Sequence, residues 1–282
     1  MVVAAIVDAG FYFVLAALAA REVMAAKNPN LAPVALVLLL GIANAADHAG
    51  AANLLSDAEV GIRSAISIVI MLISLIGGRI IPSFTRNWMK KQGITRNLPT
   101  QPTRFDLAVL VITAAGLLAW IIAPDSSSAG WLLIAAGCAQ AWRLLRWGRL
   151  RFVRDPLVLI LHVGYLWVPV GLVLLSISIF GASVPRSAAI HALTAGAMAT
   201  MIIAVMTRAV LSHTGRDSIA SLTTALIYIL VTGGAVLRVA ASLDILDYTI
   251  GIKVAAGVWT GAFVLFLATY GPMLVRPRLG EE

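Results

Sequence analysis

The chain has 282 residues, 60% hydrophobic and only 12% charged, against about a quarter charged in ordinary soluble domains. That composition, with a mean hydropathy of +0.95, excludes a soluble globular domain. The net charge of +8 does not argue for nucleic acid, because the basic residues sit beside apolar runs, where they orient helices and meet anionic headgroups.

The apolar runs are about 18–25 residues long, enough to cross a hydrocarbon core of about 30 Å. Strand-like alternation is absent, so helices are left as the structure that satisfies its own backbone in lipid. The prediction is all-α: a polytopic transmembrane helix bundle of about nine spans forming a single domain over residues 1–282. In chain order the spans are 2–20, 31–48, 64–84, 105–123, 130–147, 156–180, 188–211, 219–241 and 248–274. The first lacks a basic leader and contains Asp8, which argues against a cleavable signal peptide. Pro33, Pro124, Pro156 and Pro185 mark starts and turns. Residues 85–104 read as a basic cytoplasmic loop with a proline-rich end at Pro99 and Pro102. Cys138 lies inside the fifth span and reads as a small core residue, and as the sole cysteine it excludes an intrachain disulfide.

Orientation follows from counting. Seventeen of the 21 basic residues fall on the side that carries the loops after spans one, three, five and seven and the C-terminal tail. Only Arg63, Arg186, Arg238 and Lys253 fall on the other. The positive-inside rule makes the rich side cytoplasmic, with the N-terminus outside and the C-terminus inside.

Ionisable groups at membrane depth are costly and mark functional sites by default. Span two ends in Asn44, Asp47 and His48 near the outer face. Span six carries His162, Tyr165 and Pro169 on one face, with His162 about 10 Å above the inner end. Span seven carries His191 in its first outer turn, and His213 follows it on the inner side. These two lie about 33 Å apart along a helix, too far to share a metal ion. Depth therefore sorts the histidines into an outer pair, His48 and His191, and an inner pair, His162 and His213. At 100° per residue His191, Met198 and Met206 share a face, beside a small-residue ribbon of Ala192, Gly196, Thr200 and Ala204. Such a face suits haem or copper; equally, methionine fills core gaps. Arg79 and Arg208, near inner helix ends, either snorkel or hold an anionic group such as a haem propionate. Asp8 or Asp47 is a possible partner for Arg238. P-loop, G-x-G-x-x-G, H-E-x-x-H and C-x-x-C signatures are missing, and residues 212–216 make a polar turn without a hydrolase triad.

Residues 191–201 (HALTAGAMATM) followed by 206–216 (MTRAVLSHTGR) resemble the signature segment of the NnrS family. Residues 77–88 (GGRIIPSFTRNW), 161–171 (LHVGYLWVPVG) and 44–48 (NAADH) fit the same pattern. The resemblance implies a multi-pass protein of the bacterial cytoplasmic (inner) membrane that contains haem and copper. It also implies a link to nitric oxide metabolism, through denitrification or defence against nitrosative stress, with nitric oxide as a ligand. Under it His48, His162, His191 and His213 are candidate cofactor ligands, with His191, His48 and Met198 for a metal. Arg79, Arg86 and Arg208 become anion or propionate partners. It assigns no catalytic residue and leaves open whether the chain is an enzyme. The resemblance also implies about twelve spans in the family, so that three, with a W-H-x-H-E-M-like segment, would be missing here. Two rival readings stand beside it: a transporter or channel using buried His, Asp and Arg, and a truncated family member without cofactor.

Overall fold

A computed structural model describes residues 2–27, 31–99, 102–148, 154–181 and 183–279. Helix makes up 80% of the structure, and no strand occurs among the described residues. The helices are α1 (Val2–Ala25), α2 (Ala32–Ala51), α3 (Val60–Lys91), α4 (Arg104–Ile122), α5 (Ser127–Leu145) and α6 (Pro156–Ile179). A continuous 28-residue stretch follows, α7 (Arg186–His191), a π-helical segment (Ala192–Met198) and α8 (Ala199–His213). It is succeeded by α9 (Leu222–Ser242) and α10 (Tyr248–Leu274).

Local chemistry sets the helix starts. Ser126, Ser221 and Asp247 each accept a backbone N–H from the first turn of α5, α9 and α10. Asp155 accepts from Leu157 N at 2.9 Å, and Pro156 occupies the first helical position, where its missing N–H costs nothing. Asp106 reaches back to Thr103 N at 2.8 Å and closes the first turn of α4.

Eight of these helical segments are long and apolar enough to cross a membrane. The segment that falls outside that set is α5, whose 19 residues include Gln140 and Arg143. Both side chains are buried, so their polarity is turned into the bundle. α5 packs between α4 and α6.

Burial grades across the bundle. In α6 61% of the most apolar window is buried and in the 186–213 stretch 56%, against 11% in α1. The centre is therefore α6 with the 186–213 stretch, and α1 and α2 stand at one side, packed on each other and through α2 on α3. Small residues bring the central helices together. A Cβ on Gly196 would meet the Trp167 ring, and one on Gly164 would lie 2.9 Å from Met201 Sδ. Ala192, Gly196, Thr200 and Ala204 are all buried, so the expected ribbon forms the contact.

Three expectations need correction. The predicted loop over 85–104 begins only after Lys91, because α3 continues through the basic residues with Thr85 and Met89 buried one turn apart. Its remainder folds back, with Arg86 Nε donating to Pro99 O at 3.0 Å. Cys138 is exposed on the outside of α5 rather than in the core. The face of His191, Met198 and Met206 rested on a period of 3.6, which the π-helical segment interrupts; Met198 is half-buried against an apolar core and Met206 is exposed.

Candidate functional site

Polar side chains gather at three places between helices. The deepest centres on Arg143, which is only 2% exposed. Its Nε donates to Asp106 Oδ1 at 2.8 Å, and its Nη1 donates to Ser74 O at 2.8 Å and Tyr165 Oη at 3.1 Å. The tyrosine donates to Gln140 Oε1 at 2.5 Å, and the amide nitrogen of Gln140 donates to Ser74 Oγ and Thr113 Oγ1. Four helices, α3 to α6, thus meet on one network. Room for the guanidinium comes from Gly78, where a Cβ would fall inside it. Trp147 stacks beneath, its ring centroid 5.3 Å from the guanidinium carbon. The donors and acceptors satisfy one another, which makes this a packing device that fixes four helices. Sequence reading placed Arg143 with the inner-side charges; no spacing signal pairs it with Asp106 across two helices.

The second place is the His48 end of α2. Asp8 Oδ2 receives Asn44 Nδ2 at 3.0 Å and lies 2.9 Å from His48 Nε2. Asp8 therefore engages the imidazole and not Arg238. Asn44 Oδ1 is buried without a partner. His48 lines an apolar cleft of about 380 Å³ between α1 and α2, and its Nδ1 has no partner among the described residues. A carboxylate on one ring nitrogen orients the other toward a metal in many metalloproteins.

The third place surrounds His191. A cavity of about 360 Å³ is lined by His191 and Ala195, by Gly234 and Arg238 of α9, and by Trp259 and Thr260 of α10 among others. The indole Nε1 of Trp259 is buried without a hydrogen-bond partner.

The outer histidines are not brought together as depth suggested. α2 packs on α1 and α3, whereas α7 packs on α6 and α9, which separates His48 from His191. His162 is buried, with Nδ1 3.0 Å from Val158 O and Nε2 3.5 Å from Thr85 Oγ1. His213 is exposed at the end of α8. Arg208 lies over the Phe84 ring, 4.1 Å from its centroid, with Nε buried and unbonded; Arg79 is exposed on α3. Among the described residues no three His, Cys, Asp or Glu side chains stand close enough to share a metal ion. The 212–216 turn instead serves packing: Gly215 has φ +70° and Leu279 N donates to Thr214 O at 3.1 Å.

Apolar spans wrapped around buried ion pairs and histidines define a polytopic helical membrane protein with polar sites between its helices. Within that class the family is given by direct comparison. The model of the NnrS protein family matches residues 1–278, and the chain belongs to that family. Neither a curated relative nor a solved structure matches it.

Proposed function

We propose that this chain is an NnrS-like protein of nitric oxide metabolism or the nitrosative-stress response, seated in a bacterial cytoplasmic membrane and holding haem through a histidine. The observation that carries this reading is the family match over residues 1–278. We include α5 as a ninth span: at about 1.5 Å per residue its 19 residues reach about 28 Å. Nine spans with the N-terminus outside and the C-terminus inside agree with the bias of basic residues.

Haem fits the residues at one place best. His48 lines a cleft and is braced by Asp8 at 2.9 Å, a carboxylate–imidazole arrangement that would orient the ring to hold haem iron. Haem held there would supply an iron able to bind nitric oxide, and the apolar walls of the cleft suit an uncharged gas. His162 is a poorer ligand because both of its ring nitrogens are already faced, Nδ1 by the Val158 carbonyl at 3.0 Å and Nε2 by Thr85 Oγ1 at 3.5 Å. Copper does not fit the described residues as a three-ligand site. Met198 does not line the His191 cavity, so we assign copper no ligand set here.

The test is haem content and the reduced-minus-oxidised spectrum of detergent-purified protein, with nitric oxide added to the reduced form. His48→Ala is expected to lose haem, and His162→Ala and His213→Ala to keep it. Haem-free protein, or haem retained in every single histidine variant, would overturn the assignment.

A further inference from the structure

The four basic residues on the sparsely charged side do not share one fate. Arg63 pairs with Asp57 and Glu59, and Arg186 pairs with Asp125. Lys253 is exposed. Arg238 has no carboxylate partner among the described residues, although it sits four positions before the end of α9, about 6 Å inside the helix. Its guanidinium donates to a neutral hydroxyl, from Nη1 to Ser242 Oγ at 3.0 Å, which leaves most of its five donors. A half-buried, uncompensated arginine at this depth is costly unless something negative stands beside it.

Arg238 lines a cavity instead of reaching past the helix end. Every polar side chain on that cavity is a donor or can become one. These are the Arg238 guanidinium, the His191 imidazole, the Thr260 hydroxyl and Trp259 Nε1, the last buried with nothing to bond. Neither Asp nor Glu is on the lining. Three elements supply these groups, so this is a built pocket and not one helix end. The π-helical segment begins directly after His191 and contributes Ala195 to the wall; π-bulges recur at functional sites because the wider turn displaces side chains from the α-helical register. Gly234 allows α9 to close on α10, since a Cβ there would lie 2.9 Å from Trp259 Cβ.

We propose that the His191–Arg238–Trp259–Thr260 cavity binds an oxyanion, with Arg238 as the counter-charge and the other three as neutral or imidazole donors. At about 360 Å³ it is in the range of small-molecule pockets and takes a phosphate-sized group, either free in solution or on an anionic lipid. The proposal does not rest on the haem reading, whose favoured ligand His48 stands on another pair of helices.

The experiment uses the full chain in dodecyl maltoside, which carries no phosphate. Inorganic phosphate is titrated calorimetrically, and retention of phosphatidylglycerol is read by native mass spectrometry. A phosphate isotherm weakened at least about tenfold by Arg238→Gln, and less by Arg238→Lys, supports a free oxyanion; loss of a charge-assisted hydrogen bond has that size. Phosphatidylglycerol retained by the wild type and shed by Arg238→Gln, with no phosphate isotherm, supports a lipid phosphate. Trp259→Phe and Thr260→Val each remove one donor with little change of shape and serve if Arg238→Gln fails to fold; each is expected to weaken binding several-fold. Absence of both probes, or binding unchanged in all these variants, overturns the proposal. Haem absorbance recorded on the same samples keeps its failure separate from that of the haem assignment.

Discussion

Replacing Arg143 by methionine tests the claim that four helices are held by one buried network. The substitution removes the 2.8 Å bond to Asp106 Oδ1 and the two bonds to Ser74 O and Tyr165 Oη. Asp106 then keeps its bonds from Thr103 N and Oγ1 at 2.8 and 2.9 Å, with Arg146 Nη1 at 3.9 Å as the nearest remaining cation. Breaking a buried pair from one side costs about 3–5 kcal/mol. The bonds Asp106 retains place this case at the low end, about 3 kcal/mol, or a loss of about 100-fold in the folded-to-unfolded ratio. Reversible unfolding in mixed micelles, driven by increasing SDS fraction and followed by far-ultraviolet circular dichroism, reads that difference. Arg143→Met combined with Asp106→Leu is expected to be less damaging than the sum of the single changes, because neither leaves a lone charge. A loss below about 1 kcal/mol for Arg143→Met, the size of an exposed ion pair, would refute the reasoning.

Gly78→Ala is expected to destabilise by about 1–3 kcal/mol, since the new methyl displaces the Arg143 guanidinium; in an Arg143→Met background the effect should shrink, and the same unfolding assay compares them. At the α2–α3 loop the Arg63 guanidinium holds the Asp57 carboxyl below its ordinary value of 3.8. A depressed carboxylate contributes stability above the unfolded value and loses it as pH falls from there through the folded one. The stability difference between wild type and Asp57→Asn should therefore be constant at neutral pH, begin to fall near about pH 4 and vanish only below the depressed folded value. Cys138, the single cysteine, is exposed about 17 Å along α5 from its first residue. A membrane-permeant apolar maleimide should label it in intact vesicles faster than a charged one, and the reverse order would remove α5 from the set of spans.

The length of the apolar runs made most of the helices legible, because lipid forces every apolar run of sufficient length into one structure. The 248–274 and 156–180 expectations agree with α10 and α6 almost to the residue, since Pro156 and the Asp247 cap leave little choice of start. Helix ends that carry charge were harder. α3 runs on through Arg86, Lys90 and Lys91, because a helix leaving the hydrocarbon gains nothing by stopping where basic residues begin. The site was less legible than the fold. His48 was singled out as an outer ionisable residue, but its partner Asp8 lies 40 positions away on another helix. The π-helical segment carries no distinguishing pattern in a single sequence, and it invalidated a face argument built on 3.6 residues per turn.

Arg143 also bears on the proposed orientation. It was counted among the basic residues of the inner side, yet it is buried against Asp106 and presents no charge to headgroups. On the opposite side Arg63 and Arg186 are likewise met by carboxylates. Two of the four basic residues on the sparse side are thus paired in place, while Lys90 and Lys91 on the rich side are exposed. Because the orientation rule counts Lys and Arg and carboxylates contribute little to it, these pairings leave the seventeen-to-four bias of the sequence as it stands, and the proposed cytoplasmic C-terminus rests on that count alone.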